Sequence, residues 1–93
     1  MSREEAKTVL AERLSRYREL PYDRLVTLVG SCEVEEFRGN ADVVYQLEFD
    51  ILWDDRQGGD IRVIGGIDGG VISAITPMTD CFIKAPDGSF VDE

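Results

Sequence analysis

Apolar residues recur along this chain with two periods, and the change from one to the other near Cys32 separates a helical beginning from a stranded remainder. Ala6, Val9, Leu10, Leu14 and Tyr17 follow one another at three- and four-residue steps, opposite Glu12, Arg16 and Glu19. That spacing predicts an amphipathic helix. Ser2-Arg3-Glu4-Glu5 offers a capping box at its start, and Leu20-Pro21 ends it because a residue before proline is pushed out of helical dihedrals. Tyr22, Leu25, Val26 and Val29 repeat the spacing over two turns between Pro21 and Gly30, which predicts a second, short helix with a left-handed stop.

Beyond Cys32 the period is two. Val43, Tyr45, Leu47, Phe49, Ile51 and Trp53 share one side of a strand, with Val44, Gln46, Glu48, Asp50 and Leu52 on the other. Glu33 to Arg38 reads as a shorter strand before the Gly39-Asn40 turn, and Ile61 to Asp68 and Val71 to Thr76 as strands joined by Gly69-Gly70. Phe82 to Val91 holds a Pro86-Asp87-Gly88 turn between two apolar stubs, which predicts a terminal hairpin or hook. The expected fold is α+β: one or two N-terminal helices packed on one face of an antiparallel β-meander of about four strands, as a single domain over residues 1–93.

Closing the loop between Trp53 and Ile61 sets Phe49 opposite Gly65 and Asp50 opposite Ile64, and a Gly69-Gly70 turn would set Ile64 opposite Ile75. The inner face then holds Tyr45, Leu47, Phe49, Ile51, Trp53, Ile61, Val63, Ile67, Ile72 and Ala74. The outer face collects Val44, Leu52, Ile64, Val71 and Ile75 among Gln46, Glu48, Asp50, Arg62 and Ser73, more apolar than a solvated face requires. Two coverings compete: Phe82, Ile83, Phe90 and Val91 folding across it, or a second molecule docking with Glu48 and Asp50 as a polar rim. Gly65-Gly66 inside a strand calls for a bulge, or for Phe49 lying over Gly65.

Charge narrows the partners. The chain has 93 residues, 43% of them hydrophobic, with 10 Lys plus Arg against 19 Asp plus Glu, a net −9. Residues 1–24 carry six basic and five acidic groups, a net +1, which leaves 10 − 6 = 4 basic and 19 − 5 = 14 acidic groups, a net −10, for residues 25–93. Nucleic acid and anionic membrane are poor partners for such a surface, and no apolar run approaches the roughly 20 residues of a membrane span. A cytoplasmic protein is expected. With no histidine, Ser-His and Cys-His catalysis is excluded. Cys32 and Cys81, too few for a disulfide scaffold and outside any Cys-x-x-Cys pair, read as two small buried hydrophobes, with a long-range bridge or a reactive thiol as the sharper readings.

Asp54-Asp55-Arg56-Gln57-Gly58-Gly59-Asp60 concentrates carboxylates, yet Arg56 breaks the alternation of a calcium loop, so a solvated hairpin loop is expected and no metal or cofactor. Glu48 and Asp50 share a strand face as paired carboxylates of the glycosidase kind would, with Arg62 placed as their cross-strand partner. Tyr17, Tyr22 and Trp53 read as core.

Leu52 to Val63, Pro77-Met78-Thr79-Asp80 and Phe82 to Val91 together resemble a family of small, acidic, uncharacterised bacterial proteins, over the latter half of the chain above all. The resemblance implies a free-standing bacterial domain and transfers no catalytic or binding residue. Three functions are carried forward: a non-enzymatic module for self-association or protein binding through the mixed sheet face; an acidic immunity-type inhibitor of a basic toxin or nuclease; and a small-ligand binder or hydrolase using Glu48 and Asp50.

Overall fold

The computed structural model describes residues 3–38, 44–68, 78–91 and 93. Two helices, α1 (Arg3–Arg18) and α2 (Tyr22–Leu28), precede four strands, β1 (Cys32–Arg38), β2 (Val44–Trp53), β3 (Ile61–Asp68) and β4 (Met78–Lys84). The strands form one antiparallel sheet in sequence order, as a meander does, and the helices lie on one of its faces. The fold is α+β, as the two periods require.

Ala6, Val9, Leu10 and Leu14 of α1 are buried with Leu25 of α2 against Tyr45, Leu47, Phe49 and Ile51 of β2 and Ile61, Val63 and Ile67 of β3. Tyr17, Tyr22 and Trp53 are partly buried against this core. In α2 the exposed apolar residue is Val26, while Leu28 packs inward; a seven-residue helix has room for one stripe, and Leu25 and Leu28 define it. Gly30 takes φ +90°, the left-handed stop its type allows, and its N–H pairs with Ile51 O at 2.8 Å. The capping box at Ser2 and the Gly39-Asn40 turn fall outside the described residues.

Phe49 stands opposite Gly65 and Asp50 opposite Ile64, the register read from the sequence. Glycine at 65 has a steric cause: a Cβ there would meet Phe49 Cε1 at 2.8 Å and Leu10 Cδ1 at 3.1 Å. β3 therefore gives up a side chain so that α1 and a phenyl ring can close on its backbone.

The fourth strand differs from the sequence reading. Val71–Thr76, with Ile72 and Ala74, lies outside the described residues, and the strand beside β3 is Met78–Lys84, which puts Cys81 rather than Ile75 opposite Ile64. Phe82 takes the inner position next to Val63. Lys84 is buried because its Nζ donates to Arg18 O at 2.9 Å and Leu20 O at 2.6 Å, giving the free carbonyls at the end of α1 a cation. The expected hook follows: Gly88 N–H reaches Ala85 O, Phe90 bridges back to Lys84, and Val91 N–H meets Ile83 O. It folds onto the helix side. Phe90 packs edge-on against Phe82, and Arg18 lies over the Phe90 ring while its two Nη atoms hold both carboxylate oxygens of Glu93 at 2.7 and 2.6 Å.

Candidate functional site

Two regions carry surface chemistry, one on each side of the sheet. On the outer side, β-strand alternation and the observed pairing arrange side chains in rows, two of which cross all four strands, Val34, Glu48, Gly66 and Thr79, then Cys32, Asp50, Ile64 and Cys81, and one of which crosses three, Leu52, Arg62 and Ile83. Val34 is 58% exposed and Leu52 38%. No described helix covers this face: of Phe82, Ile83, Phe90 and Val91, expected across it in one reading, Phe82 and Phe90 belong to the helix side and Ile83 lies in an outer row of β4. Of the predicted interface residues, Val44, Glu48, Asp50, Leu52 and Ile64 share the face, and Val71 and Ile75 lie outside the described residues.

The cysteines are exposed and free, at the two ends of one row. They are not the buried hydrophobes the sequence suggested, because each sits at an outward position of an edge strand. Two strands separate them, so their Cα atoms lie about 14 Å apart at the usual strand spacing, twice the reach of a disulfide. The Cys32 thiol hydrogen-bonds to Asp50, and that bond, with desolvation and the negative charges of Asp50 and Glu48, pushes its pKa up. Arg62 does not serve Glu48 or Asp50. Its Nε and Nη2 reach Asp54 Oδ1 at 2.8 and 2.6 Å, since the turn after Trp53 brings Asp54 nearer than either strand carboxylate. Gly30, Cys32, Asp50, Leu52 and Ile64 line a shallow depression to which Glu48 does not contribute.

The second region was not visible in the sequence. α1 runs in the opposite sense to β1, and four helical residues rise about 6 Å while two strand residues span about 6.7 Å, so long side chains at these steps meet in pairs across the gap. Arg13 Nε meets Glu35 Oε1 at 2.7 Å, and the Tyr17 hydroxyl donates to Glu33 Oε1. The Arg13 guanidinium also lies 5.3 Å from the centre of the Phe37 ring. Burial, then the contact with Glu33, hold the Tyr17 phenol far above its ordinary pKa, so it remains a neutral donor.

Below these two links lies a cavity of about 270 Å³, floored by Tyr17, Leu20, Leu28 and Phe49 and rimmed by Arg13, Arg16, Glu33 and Glu35. The Tyr17 and Phe49 rings are 4.9 Å apart. The cavity exists because α1 leans toward β3 and β4, leaving the inner side of β1 bridged by long polar side chains rather than filled. The available signal was the pair Arg13/Tyr17 at helical spacing facing Glu33/Glu35 at strand spacing. Among the described residues no group of three or more His, Cys, Asp or Glu converges as a metal site requires, and no helix is long and apolar enough to cross a membrane. No protein-family model, curated protein or solved structure matches this chain.

Proposed function

We propose that this is a non-enzymatic interaction module that associates with a second copy of itself through the outer face of the sheet. The observation that carries this reading is the exposure of Val34, Val44 and Leu52 on a sheet side that no described helix covers. Four strands and four to five rows present about 500 Å² a side, or about 1,000 Å² for a pair, the small end of specific interfaces. A weak, reversible dimer follows. A bacterial, cytoplasmic setting accords with two unpaired thiols on the same face.

Glu36, Glu48 and Asp50 are exposed along that face, so a second copy brings acid toward acid and added salt strengthens association. Light scattering at micromolar concentration should give a mass that rises with protein and salt, and Leu52→Glu should return a monomer. Because the two cysteines cannot reach each other, any disulfide formed on mild oxidation links two chains and reports the docked state on a gel. A monomer at every concentration and salt level removes this reading.

The same carboxylates favour a second reading, an acidic inhibitor of a basic toxin or nuclease. Salt separates the two, because it weakens binding to a basic protein. The hydrolytic reading asks for a walled cleft at both carboxylates, and the depression on this face reaches only Asp50.

A further inference from the structure

The cavity between α1 and β1 holds an uncancelled pair of opposite charges above an apolar floor. Four charged side chains rim it. Arg13 and Glu35 neutralise each other at 2.7 Å. Glu33 accepts a hydrogen bond from a neutral phenol, which leaves its negative charge in place. Arg16 is 61% exposed at its side chain and makes only a 3.7 Å approach to Glu12 along its own helix, so its guanidinium retains donors for a ligand. One cation and one anion remain at the mouth, over the Tyr17 and Phe49 rings and the Leu20 and Leu28 side chains.

We infer that this cavity binds a small zwitterion with an apolar side chain, of the class of a free apolar α-amino acid, its carboxylate on Arg16, its ammonium on Glu33 and its side chain on Tyr17, Leu20 and Leu28. Size and charge both select this class. At about 270 Å³ the cavity lies just below the roughly 300–1,000 Å³ of pockets for larger ligands, which suits a small molecule. A simple anion would face Glu33 within a chain of net −9, and a simple cation would face Arg16. Only a molecule carrying both charges leaves neither rim group opposed.

The test is an amide-proton NMR titration of the whole chain with L-phenylalanine, 3-phenylpropanoate and 2-phenylethylamine, which share the ring and differ in charge. Phenylalanine should give saturable shifts at residues 13–20, 28 and 33–35, and each singly charged analogue should bind at least tenfold more weakly. Arg16→Gln should weaken phenylalanine tenfold and shift the preference between the two analogues toward the amine. Glu33→Gln, whose amide oxygen still accepts from Tyr17, should favour the carboxylate instead. Leu28→Trp should fill the cavity and abolish the shifts while the remainder of the spectrum stays in place. Absence of saturable shifts up to the solubility limit, equal binding of the three probes, or an analogue preference unmoved by the two charge variants overturns the proposal. None of these outcomes bears on the outer face, so this inference and the self-association reading fail independently.

Discussion

The two faces of the sheet are made from the same four strands, yet one has been built to be filled and the other to stay open. On the inner face of β2, Tyr45, Leu47, Phe49 and Ile51 are buried beneath the helices and beside β3, and even the backbone opposite Phe49 is stripped to glycine to let the ring in. On the outer face Val44, Gln46, Glu48, Asp50 and Leu52 alternate with them at the same residue spacing and remain exposed. The difference teaches that alternation alone sets which side chains share a face, while the connections decide which face receives the helices. Here both α1 and the terminal hook choose the same side. The outer face is left with apolar atoms that folding does not bury, and the inner face pays for its closeness with intolerance of any change in volume.

Substitutions should separate the faces by size of effect. Phe49→Ala should lower stability by about 3–5 kcal/mol in urea unfolding, as truncation of a buried aromatic does, whereas Val34→Ala on the outer face should stay within about 0.5 kcal/mol. A comparable loss at both would mean that something already covers the outer face. The neighbouring glycines divide in the same manner. Gly65→Ala should cost about 1–3 kcal/mol because its methyl collides with Phe49 and Leu10. Gly66→Ala, whose nearest atoms would stand at 3.7 and 3.8 Å, should cost less than about 0.5 kcal/mol by the same measurement.

The smallest expected effect concerns Cys32. Its thiol pKa is raised, so the thiolate that reacts with iodoacetamide forms later as pH rises than for an ordinary thiol near 8.5. In a Cys81→Ser background, Asp50→Asn removes the main cause and should move the reactivity profile to lower pH. Solvent screening keeps the displacement modest at this exposed site. An unmoved profile would break the contact between Cys32 and Asp50.

Much of this architecture was legible in the sequence wherever a period ran long enough to repeat. The alternation from Val43 to Trp53 gave both faces of β2, and the loop from Asp54 to Asp60 was short enough to set Phe49 against Gly65. β4 was not legible, because Met78, Asp80, Phe82 and Lys84 occupy its inner positions and two of those four are charged. Lys84 looks like a surface residue until α1 brings two carbonyl oxygens to it. The paired links of Arg13 and Tyr17 to Glu35 and Glu33 were hidden for the same reason. Their partners lie on a separate element, and only the length of the arginine and tyrosine side chains spans the gap that the lean of α1 leaves over β1.

That lean, and the lysine at its end, carry a consequence for how the molecule is made. The last carbonyls of the first helix wait for a side chain 64 to 66 residues downstream, and Arg18 waits for a carboxylate 75 residues away. During translation the end of this helix therefore emerges before the side chains that close it, and these contacts wait until β4 and the hook have followed.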